Sequence, residues 1–164
     1  MILQPGDILL WRVVPGLPLY ERFIGWSQLR VLKQKGVTGQ QYYHCALVAA
    51  NPKSYYSSQP PKIDKFVLPD PLPSNVEVWR LNEPLDPLKL ALVFQYAESR
   101  RGKWYPLLGV ITAGWLQGNQ EFCSQYLEDS YAHYPVLLCN DIRFATPDGI
   151  ALGVSQVASL VPLR

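Results

Sequence analysis

The sequence predicts an α+β fold: an antiparallel sheet with its helices gathered apart from its strands. Three observations carry that prediction. Apolar, β-rich runs stand at residues 7–14, 43–50 and 76–81. Helical patterns capped by Asp-Pro and Thr-Pro come mostly after the third run. The order strand, helix, strands, helices, strand is not the strict alternation that builds a doubly wound parallel sheet. The chain has 164 residues, 48% apolar and 17% charged, the balance of a globular chain that buries one core. One domain over residues 1–164 is expected, and no internal repeat divides it.

Each element has its own reason. Asp7 to Val14 (DILLWRVV) is apolar and β-rich, a buried strand. Tyr20 to Arg30 sets Tyr20, Phe23, Ile24 and Ser27 at helical spacing, a short amphipathic helix. Tyr43 to Ala50 (YHCALVAA) is a second strand and Val76 to Leu81 (VEVWRL) a third. Between them, six prolines at positions 52, 60, 61, 69, 71 and 73 forbid a helix and discourage a central strand. Residues 51–75 are therefore expected to be an excursion with short extended pieces. Asp86-Pro87 is an N-cap followed by proline at the first helical position, and that helix runs to about Arg101 and stops at Gly102. Trp104 to Gln117 is expected to be a helix, as is Asn119 to Tyr134, which Pro135 ends. Thr146-Pro147-Asp148 opens a last short helix, and Val157 to Leu163 reads as a final strand.

Composition removes several function classes. With 15 basic and 13 acidic residues the formal charge is +2, too small for a general field toward nucleic acid or anionic membrane. Arg100, Arg101 and Lys103 read as a solvated helix end. The longest apolar stretch, Leu107 to Leu116, contains Thr112 and two glycines and falls far short of the ~20 residues that span a bilayer. Met1 to Gln4 and the following Pro5-Gly6-Asp7 lack the basic start and apolar run of a signal peptide. A soluble, cytoplasmic protein is the expectation. Three cysteines (Cys45, Cys123, Cys139), two histidines and no CxxC give no metal-ligand pattern. No metal and no cofactor are expected.

The chemistry centres on Gly118-Asn119-Gln120-Glu121-Phe122-Cys123-Ser124-Gln125-Tyr126-Leu127. A loop with glycine and asparagine feeds a helix with a cysteine near its start, where amide dipoles favour a thiolate. A free cysteine is also a common small core residue, and Phe122 and Leu127 give this helix a core side. His44 shifts the balance. It opens an apolar strand in which Ala46 and Val48 share its face while Cys45 and Leu47 take the other. A cysteine at a helix start and a histidine on a strand are the parts of a thiol–imidazole pair. His133, in the last turn of the cysteine helix, is explained by the helix dipole alone.

Taken in order, these residues resemble a known family. Gly6-Asp7-Ile8-Leu9-Leu10, then Arg22-Phe23-Ile24-Gly25-Trp26-Ser27, then His44-Cys45-Ala46-Leu47-Val48 follow the pattern of permuted NlpC/P60 papain-like cysteine hydrolases. The likeness is to their YiiX/YaeF-type branch, related to the lecithin:retinol acyltransferase-like proteins. Arg80, Lys103-Trp104-Tyr105, Phe122-Cys123-Ser124-Gln125-Tyr126-Leu127 and Thr146-Pro147-Asp148 continue the likeness through most of the chain. His precedes Cys, the order of the circular permutation. Two positions depart from the pattern: Gln125 stands where the family usually has Glu, and Pro106 where it often has Asp.

The resemblance implies a thiol hydrolase of peptidase or amidase type with Cys123 as nucleophile and His44 as base. It also implies a third, ring-orienting residue on the strand after the histidine strand. If residues 51–54 form the turn, Val48 pairs with Ser57 and Ala46 with Gln59, and both polar residues share the His44 face. Gln59 is the expected third member, with Ser57 and Glu77 as alternatives. Tyr105 matches the family tyrosine beside the nucleophile. The substrate classes implied are peptide, isopeptide and cell-wall peptide bonds. Acyl transfer or lipid hydrolysis is the alternative activity, and an inactive binding module on the same fold the alternative from outside catalysis.

Overall fold

A computed structural model describes residues 2–19, 21–22, 42–105, 122–132 and 146–162. Its elements are β1 (Ile8–Arg12), β2 (Tyr42–Val48), β3 (Ser54–Gln59), β4 (Lys62–Val67), β5 (Val76–Leu81), α1 (Pro87–Ser99), α2 (Cys123–Ala132), α3 (Pro147–Val157) and β6 (Ala158–Leu160). The strands form one six-stranded sheet in the order β4-β3-β2-β1-β5-β6, and every neighbouring pair is antiparallel. The α+β expectation thus holds, with strands beginning near residues 7, 43 and 76 side by side.

Alternation along the strands sorts two cores. On one side Ile8, Leu10, Cys45, Leu47, Tyr56 and Ile63 meet residues from all three helices, among them Val93, Tyr126, Leu127 and Ile150. On the other, Leu9, Ala46, Val48, Val76 and Val78 lie under Leu68, Leu3, Leu72 and Val161. The α2 helix packs on β2 and β3, and α3 on β2, β5 and β6. The described helices therefore sit on one face of the sheet, and among the described residues coil covers the other.

The helix caps follow the sequence. The Asp86 side chain accepts from Lys89 N ahead of Pro87, and Gly102 takes a positive φ of 82° just beyond the C-cap. The Thr146 hydroxyl likewise accepts from Gly149 N ahead of Pro147. Buried Asp7 receives Arg80 through two bonds, Nε to Oδ1 and Nη2 to Oδ2, each 2.8 Å, which ties the start of β1 to β5.

The proline-rich stretch is more ordered than expected. It holds a β3–β4 hairpin paired from Ser54↔Val67 to Gln59↔Lys62. The prolines fall in the connections: Pro52 before β3, Pro60 and Pro61 in the hairpin turn, and Pro69, Pro71 and Pro73 beyond β4. No proline removes an amide from the ladder, so their density does not oppose the strands. Trp104 and Tyr105 are also extended: Trp104 bridges to Lys62, and Tyr105 N donates to Pro61 O at 2.9 Å. A helix therefore does not begin at Trp104. The final strand is three residues long, Ala158–Leu160. The expected helix at residues 20–30 and the remainder of 104–117 fall mainly outside the described residues, as do His133, Pro135 and Cys139. No described helix is long and apolar enough to cross a membrane.

Candidate active site

The site stands at one end of the sheet, where β1 and β3 finish and β2 starts. Trp11 pairs with His44 there, and the next β1 residue, Arg12, pairs with Tyr42, so Tyr43 is an extra residue in β2. A bulge of this kind twists a strand and re-aims the side chains beside it. His44 packs against Trp11, with ring centroids 5.0 Å apart, and Tyr43 stacks at 6.5 Å. Alternation assigns Cys45 to the helix-side core and Ala46 to the opposite one, as the sequence predicts. At this twisted strand end Cys123 nevertheless meets both His44 and Cys45.

Cys123 is the first residue of α2 and is 1% exposed. The first intrahelical bond runs from Tyr126 N to Phe122 O, so the Cys123 amide precedes the helix's hydrogen-bond ladder. The thiol is held well below its ordinary range. The largest cause is a hydrogen bond from the Cys45 thiol; the charge and hydrogen bond of His44 and the Cys45 amide add to it, against the opposing effect of burial. Buried Tyr105 is pushed far the other way, first by burial and then by negative charge at Cys123 and Cys45. Both effects favour the neutral phenol.

The His44 ring has its own partner. Its Nε2 lies 2.9 Å from Ser57 Oγ, and Ser57 Oγ donates to Cys45 O at 3.2 Å. A hydroxyl has one proton to give, and a carbonyl can only accept. With that proton directed to Cys45 O, the Ser57 oxygen accepts from Nε2–H. Nδ1 is then the ring nitrogen available to the thiol. Ser57 is fully buried, so water does not compete for this arrangement.

Of the three candidates for the third residue, Gln59, Ser57 and Glu77, it is Ser57 whose hydroxyl reaches the His44 ring. Leu47 pairs with Tyr56 and Val48 with Tyr55, and Ala49 N donates to Ser54 O at 2.9 Å. The turn therefore starts one residue earlier than expected and the pairing slides by two. Because the slide is even, Ser57 and Gln59 keep their side of the sheet. Gln59 lines the cavity, and its side chain hydrogen-bonds Tyr55. Glu77 lies on β5, beyond β1, and is occupied by Arg12 Nε at 2.6 Å, Tyr42 OH at 2.8 Å and Trp79 Nε1 at 3.1 Å.

Above the sulfur is a cavity of about 400 Å³. Its walls include Trp11, Tyr43, Tyr55 and Tyr105, with His44 and Cys123 at the reactive end. Sequence reasoning did not anticipate the part played by Cys45. Its position next to His44 was visible, but alternation alone pointed it away from the site.

No family model matches the chain, and no curated protein sequence matches it. Among solved structures it is similar to the crystal structure of metalloprotein yiiX from Escherichia coli O157:H7, DUF1105. The TM-score is 0.60 at 12% identity, over 99% of this chain and 98% of that one. The chain shares the fold of that protein.

Proposed function

We propose that the protein is a cysteine hydrolase of amidase or peptidase type on a permuted papain-like, NlpC/P60-related fold. The observation that carries this reading is a lowered-pKa thiol at a helix start, beside an imidazole whose far nitrogen is bonded to a buried hydroxyl. Such a pair is what nucleophilic attack by sulfur requires.

In the proposed reaction His44 Nδ1 holds the proton taken from Cys123, and the sulfur attacks the carbonyl carbon of a bound amide. The Cys123 amide and the Tyr105 hydroxyl face the developing oxyanion. The imidazolium then protonates the leaving amine, and the C–N bond breaks to give a thioester on Cys123. His44 next takes a proton from water, which attacks the thioester, and the carboxylate leaves with the thiol restored. Ser57 accepts from Nε2–H throughout and acts as the positioning residue. Substrates are peptides, other amides or acyl compounds that fit an aromatic-walled cavity. A reducing, cytoplasmic setting suits a nucleophile that must stay a free thiol.

The yiiX protein is a metalloprotein by its name. Among the described residues no group of three His, Cys, Asp or Glu stands close enough to hold an ion. The test is covalent trapping. An activated acyl ester should add one acyl group to Cys123, visible by intact mass, with no adduct in Cys123→Ala and a slowed one in His44→Ala. Product analysis with peptide against acyl-lipid substrates then separates amide hydrolysis from lipid chemistry. An adduct that never forms on Cys123, or forms equally fast without His44, contradicts the reading.

A further inference from the structure

Hydrolysis needs one thiol, and the structure supplies two. Neither Cys45 nor Cys123 is in a disulfide; both are buried, at 0% and 1% exposure, and belong to the same core. Cys45 is on the helix-facing side of β2, Cys123 begins the helix packed on that strand, and the Cys45 thiol hydrogen-bonds the Cys123 sulfur. Tyr105 lies near both sulfurs. Their access differs: Cys123 lines the cavity, whereas Cys45 does not. A small oxidant entering through the cavity therefore meets Cys123 first.

We propose that Cys45 is a resolving thiol, and that a peroxide converts the Cys45–Cys123 pair into a reversible intramolecular disulfide that switches the site off. In the first step the Cys123 thiolate attacks a peroxide oxygen. The O–O bond breaks, hydroxide leaves (or alkoxide, from an organic peroxide), and Cys123 becomes a sulfenic acid. In the second, Cys45 sulfur attacks Cys123 sulfur. An S–S bond forms, the S–O bond breaks, and the departing hydroxide takes the Cys45 proton as water. The two thiols lose two electrons in total and the peroxide gains them. The disulfide also spares Cys123 from irreversible sulfinic acid.

The inference rests on Cys123 being a reactive thiolate, the core of the proposed function, and is independent of which bond is hydrolysed. The experiment treats the full chain with hydrogen peroxide, then maps peptides by mass and measures alkylation of Cys123 before and after dithiothreitol. The expected result is loss of two hydrogens, a Cys45–Cys123 cross-linked peptide, complete loss of alkylation at Cys123 and full recovery on reduction. Cys45→Ala, with its fold checked by circular dichroism, should instead accumulate a dimedone-trapped sulfenic acid at Cys123 and lose the recovery. Because the wild-type map decides the matter alone, a variant that fails to fold does not rescue the idea. Reduced Cys123 that alkylates but oxidises to a persistent sulfenic or sulfinic acid with Cys45 still free overturns this inference and leaves the hydrolase reading standing. A disulfide formed with Cys139 overturns it in the same way. A reduced Cys123 that does not alkylate at all overturns both.

Discussion

Ser57 Oγ has a buried donor–acceptor position between the His44 ring and the Cys45 carbonyl, and the orientation of the ring depends on it. A hydrogen bond to a charged group is worth about 1.5–3 kcal/mol. Ser57→Ala is therefore expected to lower kcat by roughly 10- to 100-fold, with KM little changed. Gln59→Ala should do the reverse, altering KM through the cavity wall while kcat stays within a few-fold. Steady-state kinetics on the trapped-ester substrate checks both, and a larger kcat loss at Gln59 than at Ser57 would return Gln59 to the site. At this scale the sequence was informative about residue types and weaker about pairings. Cys123 and His44 stood out because a helix start and a strand start are chemically distinctive places. The third residue depended on a hairpin register, which slides by two when the turn begins at Ala50 instead of Asn51, so two nearly equivalent polar residues changed roles.

The elements hold that pair in place through contacts remote from it. Gly6 has φ 87°, and a Cβ there would come within 2.9 Å of Leu90 Cδ1. The left-handed conformation costs an L-residue about 1–2 kcal/mol, whether or not the Leu90 side chain moves aside. Gly6→Ala should lower the melting temperature by several degrees, followed by thermal denaturation, and an unchanged melting point would show that β1 does not need this turn. Thr146→Ala removes the cap of α3 and should cost about 1 kcal/mol in a urea titration. Both positions were readable as motifs, Gly6-Asp7 and Thr146-Pro147, because a positive φ and a cap are local requirements written in single residues. The β3–β4 hairpin was not, because proline density over residues 51–75 conceals that the prolines occupy only the connections. Position, not number, decides whether proline breaks a ladder. The bulge at Tyr43 was equally hidden, since an extra residue in a strand leaves no compositional mark.

Over the whole molecule, the antiparallel sheet gathers the ends of β1, β2 and β3 and sets the start of α2 against them. This brings together a cysteine and a histidine that are far apart in sequence. The fold class was legible because clustered strands and late helices permit few arrangements. The depth of the cavity was not, because it depends on where Trp11, Tyr55 and Tyr105 meet in space. By placing His44 and Cys45 beside it, this assembly favours the thiolate of Cys123. Alkylation reports the thiolate, so a thiol pKa lowered by folding carries the rising limb of the rate to lower pH. The decisive measurement is the rate of iodoacetamide labelling at Cys123 against pH, in the wild type and in His44→Ala. A half-maximal rate well below the pH of about 8.5 typical of a free cysteine is expected, moved upward when His44 is removed. A wild-type profile centred at or above that pH, or one indifferent to His44, would contradict it.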